Sequence, residues 1–160
     1  MQNAYLLTGG NTGDRQQFLA NALQALEAEC GQIIAVSALY ETAAWGLSDQ
    51  PAFLNQAIEL ETALSPQRLL ECILAIEMRL GRVRNQKYGP RTIDIDILFY
   101  GQEVVNEPGL VIPHPHLPNR RFALECLNDI APSFLHPVLQ KSINTLLEEC
   151  PDSLTVHKLV

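Results

Sequence analysis

The chain predicts an α+β fold: an antiparallel-rich sheet with helices packed on its faces. Three observations carry the prediction. Short apolar, β-branched runs close on turn residues at 4–8, 33–40, 53–60 and 93–97. Two longer runs, 18–30 and 66–80, repeat apolar residues at helical spacing. The strand pairs near 33–60 and 92–105 are adjacent or hairpin-like, which argues against an all-parallel sheet.

Ala4–Thr8 reads as a strand that ends at Gly9-Gly10. Asp14 then caps an amphipathic helix carrying Phe18, Leu19, Ala22, Leu23 and Leu26, which closes near Cys30-Gly31. Strand, Gly loop and helix suggest a phosphate loop, but the Lys-Ser/Thr of that motif is missing, so a structural turn is the default. Ile33–Tyr40 reads as one strand and Phe53–Leu60 as another. Ser65-Pro66 starts a helix with a cap and Pro at its first position, and Gly81 ends it. After the strand at 93–97, Gly101-Gln102 turns into 103–105, read as its hairpin partner. Asn119 caps a helix containing Phe122, Leu124, Cys126 and Leu127, and 142–149 forms a structural helix in the tail.

At 160 residues, 47% hydrophobic and 18% charged, the sequence fits a single domain spanning 1–160 with a sizeable core. A net charge of −7 disfavours nucleic acid as a partner, since such binding draws on widespread basic surface. The four cysteines form no C-x-x-C pair and no disulfide framework, which points to a reducing, cytoplasmic setting. Neither a signal peptide nor a membrane-spanning run is expected.

The chemistry concentrates at Gly89–Gly101, GPRTIDIDILFYG. On a strand, Asp94 and Asp96 share one face while Ile93, Ile95 and Ile97 share the other. A D-x-D strand is either the wet face of a half-buried sheet or a carboxylate pair for hard cations, and Mg²⁺ favours few carboxylates plus substrate phosphates. Arg79, Arg82, Arg84, Lys87 and Arg91 are five of the 11 Lys+Arg and run straight into that pair without an acidic residue among them. A solvated charge run is one reading, and a site for an anion and its metal is the other. Phe53 and Asn55 share a face, which suits either a core Phe beside a turn Asn or a flat heterocycle needing stacking and hydrogen bonds. His114-Pro115-His116 lacks further ligands placed to complete a zinc site.

G-R-V-R, a short gap and G-P-R-T-I-D-I-D-I-L resemble the signature of the 6-hydroxymethyl-7,8-dihydropterin pyrophosphokinases. So do Gly9, Asn11, Gly13 and Asp14, the text Y-E-T…G…D-Q-P-x-F-L-N, I-E-x-x-L-G-R, and P-H-P…R-R-F-x-L, so the resemblance runs from Gly9 to Phe122. The sequence departs from the family pattern at Gly10, Ala44 and Leu74, where Ser, Pro and Gln are usual.

The resemblance implies a ferredoxin-like core in a three-layer α-β-α arrangement. It implies transfer of pyrophosphate from ATP to the pterin hydroxymethyl group, with AMP released. Asp94 and Asp96 would hold two Mg²⁺, and Arg82 and Arg91 would act with them in catalysis. ATP would meet Glu77, Arg82, Arg84, Lys87, Arg91, Ile97, His114 and Arg120, and the pterin would meet Thr42, Ala43, Trp45, Phe53, Asn55 and Phe122. Association with other folate-pathway enzymes belongs to the same expectation. A polymerase- or cyclase-like two-metal enzyme and a non-catalytic binding module are the competing readings.

Overall fold

The structure is a computed structural model that describes residues 1–42, 51–81 and 93–159. In chain order it runs β1 (Gln2–Gly10), α1 (Arg15–Glu29), β2 (Gln32–Val36), β3 (Tyr40–Thr42), β4 (Phe53–Thr62) and α2 (Pro66–Arg79). It continues through β5 (Asp94–Tyr100), β6 (Val105–Glu107), β7 (Leu110–Ile112), α3 (Arg121–Ile130), α4 (Ile143–Glu148) and β8 (Val156–Lys158).

The sheet is built on β1, which lies antiparallel between β4 and β5. β2 and β3 share the outer edge of β4, one at each end, and β8 adds to β3. Every pairing among the described strands is antiparallel. Strand alternation then makes two cores. Leu6, Ile58, Ile95 and Ile97 pack beneath Leu19, Leu26, Leu69 and Ile73 of α1 and α2. Leu7, Ala57, Leu98 and Phe99 pack beneath Leu124, Leu127, Ile143 and Leu146 of α3 and α4. The result is the predicted three-layer α+β arrangement.

Local chemistry accounts for the helix ends. The side chains of Asp14, Ser65 and Ser142 accept from the backbone N–H of Gln17, Arg68 and Thr145, each cap being worth about 1 kcal/mol. Gly81 follows α2 at φ +90°, the left-handed position that ends a helix.

Three expectations are corrected. Residues 33–40 are two strands, not one. At the break the Ser37 hydroxyl accepts from the Ala57 N–H (2.9 Å), and Asp129 of α3 takes the Ala38 N–H (3.0 Å). Side chains thus replace the ladder, and the chain restarts as β3 further along β4. Residues 103–105 do not form a hairpin with β5. Instead β6 pairs with β7 about Pro108-Gly109, where Gly109 at φ +81° meets the demand of a type II turn. Asn119 does not cap α3; it lies in the 3₁₀ turn Leu117–Asn119, and the Arg121 N–H donates to Asp152 of the tail (3.1 Å). The tail also supplies β8, which the sequence did not signal. Among the described residues no helix is long and apolar enough to cross a membrane.

Candidate active site

Register places the candidate residues in rows across the sheet. Gly9 stands directly between Asn55 of β4 and Asp94 of β5, and Tyr40 of β3 extends that row beyond Asn55. One step along, Leu7 stands between Ala57 and Asp96. Directly opposed residues of antiparallel strands share a face. Asn55, Asp94 and Asp96 therefore lie on the face that α3 and α4 cover further down. Two strand spacings separate Asn55 from Asp94, roughly 10 Å. Both aspartates are half-buried. Ile93, Ile95 and Ile97 point the other way, as expected, so the Ile97 side chain is core beneath α1 and α2, away from the carboxylates.

Glu77 does not sit on the surface of α2. It is 2% exposed and accepts from the backbone N–H of Ile95 (2.7 Å), between the two aspartates in sequence. A buried carboxylate thus fixes α2 to the middle of the Asp-x-Asp strand.

The 113–122 segment lies over the same face. The His114 N–H donates to the Leu98 carbonyl (3.0 Å), laying the segment beside β5. Burial first, then the charges of Arg120 and His116, push the His114 imidazole down to about 4, while Asp94 pulls the other way. His114, Arg120 and Asp94 thus share one electrostatic neighbourhood. Nδ1 of His114 accepts from the His116 N–H (3.2 Å). The neutral ring therefore carries its proton on Nε2, a donor for an anionic oxygen. The Arg120 guanidinium stands 6.0 Å from the centroid of Phe122, which couples cation and ring.

The His114 shift has a consequence for stability. Its folded value lies below the ordinary 6.5, so the unfolded chain binds the extra proton first. The contribution is complete above about pH 6.5 and is lost as pH falls toward about 4. His114→Asn is expected to flatten the fall in stability across that window, as read by chemical denaturation at several pH values. An unchanged slope would remove His114 from the account.

The ring-binding candidates are only partly assembled by described residues. Phe53 is half-buried and shares its face with Asn55. Asn55 is 5% exposed; its Nδ2 donates to the Thr8 carbonyl (3.3 Å), and its Oδ1 is buried without a hydrogen-bond partner among the described residues. Phe122 packs against the α3 side of the core. Thr42 is buried with its hydroxyl donating to the Thr155 carbonyl (3.2 Å), so that side chain ties β3 to the tail. Ala43, Trp45, Arg82, Arg84, Lys87 and Arg91 lie outside the described residues. Arg79, first in the basic run, pairs with Glu29 of α1.

Sequence reasoning missed the supports of this face. Arg15 pairs with Glu41 (2.7 Å) and donates to the Ala52 carbonyl (2.9 Å), while Asn11 donates to the Pro51 carbonyl (3.1 Å). Asn11 and Arg15 thus hold the start of β4. The Tyr40 hydroxyl donates to Asp129 (2.6 Å). Asn11 stood in a matched motif, but nothing local marked Arg15 or Asp129.

Residues 5–132 match the family model described as 7,8-dihydro-6-hydroxymethylpterin-pyrophosphokinase (HPPK). The chain is 46% identical over 136 residues to the 2-amino-4-hydroxy-6-hydroxymethyldihydropteridine pyrophosphokinase of Methylorubrum extorquens, covering 84% of this chain and 86% of that one. It is 38% identical over 148 residues to the folic acid synthesis protein fol1 of Pneumocystis carinii, covering 92% of this chain but 20% of that protein. A crystal structure of an HPPK-DHPS in complex with substrates superposes with a TM-score of 0.77 at 18% identity, over 92% of this chain and 43% of that one. That likeness speaks for the fold.

Proposed function

We infer the reaction from family membership: the chain belongs to the 7,8-dihydro-6-hydroxymethylpterin-pyrophosphokinase family. It transfers pyrophosphate from ATP to the hydroxymethyl group of 6-hydroxymethyl-7,8-dihydropterin, giving the pterin diphosphate and AMP in folate synthesis. The observation within the chain that best supports this is the row Asn55–Gly9–Asp94. It sets a buried acceptor, unpaired among the described residues, roughly two strand spacings (about 10 Å) from a carboxylate pair, suiting a flat ring at one end and phosphates at the other.

In this reading Asn55 Oδ1 accepts from a ring N–H, and Phe53 and Phe122 contribute the stacking faces. The Nε2–H of His114 and the guanidinium of Arg120 meet phosphate oxygens. Two half-buried carboxylates on one face fit the habit of Mg²⁺, which takes few carboxylates and completes its shell with phosphates and water. Asp94 and Asp96 would hold two such ions, which would supply positive charge to stabilise the transferring phosphates. Arg82, Arg84, Lys87 and Arg91 would add phosphate contacts and Ala43 and Trp45 pterin contacts, while Glu77, Ile97 and Thr42 would act by holding α2, β5 and β3 in place rather than by side-chain contact with ligand. No general base is assigned; positioning and electrostatics carry such transfers. Because relatives carry this unit within longer folate-synthesis proteins, association with another enzyme of that synthesis is part of the proposal.

Incubation with ATP, Mg²⁺ and hydroxymethyl-dihydropterin is expected to yield one AMP per pterin diphosphate. Release of ADP with a pterin monophosphate would refute the assignment. Phe53→Ala and Phe122→Ala are expected to weaken pterin binding while leaving ATP binding nearly intact, each stacking face being worth about 0.5–1.5 kcal/mol beyond area burial. Calorimetry showing equal losses for ATP would dissolve the ring pocket.

A further inference from the structure

We propose that Gly9 sets the ring specificity of the site, by leaving room for the Asn55 carboxamide to lie across β1 with one fixed polarity. The inference rests on the reading of Asn55 as the group that meets the heterocycle. A Cβ at Gly9 would stand 2.2 Å from Asn55 Nδ2 and 3.3 Å from Asn55 Cγ. The other near atom, the Leu54 carbonyl oxygen at 3.4 Å, is in ordinary contact. Gly9 is not among the glycines at positive φ, unlike Gly13, Gly81, Gly101 and Gly109. Space, not backbone freedom, therefore demands glycine here, and the group that fills the space is Asn55.

The polarity follows from Thr8. Its carbonyl receives the Asn55 NH₂, so the flipped amide would set oxygen against oxygen. Oδ1 is left buried and unpaired among the described residues, and it asks for an N–H donor. The ring edge selected is thus a donating one, and the lactam N–H is the donor assigned to it. A 2,4-diamino ring presents an acceptor nitrogen at the lactam position and is disfavoured. With alanine at position 9 the carboxamide is displaced from the Thr8 carbonyl, and the fixed polarity is lost.

A double-variant cycle tests this, using Gly9→Ala, Asn55→Ala and the pair. Calorimetry would follow 6-hydroxymethylpterin, a 2,4-diamino analogue and a non-hydrolysable ATP analogue. Gly9→Ala is expected to weaken hydroxymethylpterin about as much as Asn55→Ala, by roughly tenfold, and to erode the preference over the diamino ring. ATP-analogue affinity should stay within about twofold. In the Asn55→Ala background Gly9→Ala should add no further loss, because the group it displaces is gone. Unchanged pterin affinity in Gly9→Ala, or losses that simply add in the pair, would overturn the proposal.

If Gly9→Ala alone does not fold, the paired variant should, and failure of both would also overturn it. The Asn55 side-chain NH₂ resonances of the ligand-free protein separate the cradle from the pterin reading. A shift of those resonances in Gly9→Ala with no pterin binding by the unsubstituted protein would keep the cradle and remove the heterocycle.

Discussion

Asp94→Asn and Asp96→Asn are each expected to lower turnover by at least about 10²-fold, the scale of one lost preorganised electrostatic contact. Both residues lie on β5 two positions apart, on one face, each half-buried. Their separation is about 7 Å along the strand, close enough for one group of phosphates and cations to engage both. Asparagine keeps the shape and a ligating oxygen but removes the charge that draws the cation. Folding should not suffer, because both side chains face away from the Ile93–Ile95–Ile97 core and the substitution relieves like-charge repulsion. The check is AMP release at saturating Mg²⁺ beside a thermal melt of each variant. Near-normal turnover in either one would show that its carboxylate is not a metal ligand, and a collapsed melt would make the kinetic loss uninformative about charge.

What the sequence revealed and what it hid follow one physical division. Asp94 and Asp96 were legible because a strand's period of two converts spacing directly into a shared face. The caps at Asp14 and Ser65 were legible because each bond spans only three residues. The closeness of Asn55 to Gly9 was not, since it depends on the register between β1 and β4, set by the whole length of both strands. Glu77 was ambiguous for a related reason. Helical spacing put it near the site but not against the Ile95 N–H, which β5 brings from 18 residues away. The split at Ser37 and the arrival of β8 are likewise decided by partners far along the chain, Asp129 in one case and Tyr40–Thr42 in the other.

Phe99→Ala is expected to have the opposite signature on the same strand: a large loss of stability with chemistry retained in the folded fraction. Phe99 is fully buried at the far end of β5, about 16 Å from Asp94 at strand rise. Its ring lies 4.7 Å from that of Phe134, 5.4 Å from that of His136 and 6.3 Å, edge-on, from that of Tyr5. These contacts join the central strands to the 131–142 segment beneath α3 and α4. Truncation removes the ring and leaves a cavity bounded by the rings of Tyr5 on β1 and of Phe134 and His136 on the 131–142 segment. The cost is about 3–5 kcal/mol, a large share of the roughly 5–15 kcal/mol that holds a domain folded. For a chain of this size each kcal/mol moves the midpoint by about 2–4 °C, so a fall of roughly 6–20 °C is expected. Assayed well below that midpoint, AMP release should stay within about threefold of the unsubstituted protein, because the Glu77–Ile95 bond still holds the carboxylate end of the strand. A shift under about 3 °C would mean that the aromatic cluster is not what anchors β5. A hundredfold loss of turnover at full folding would mean that the two ends of the strand are not independent, and that the rings help to aim Asp94 and Asp96.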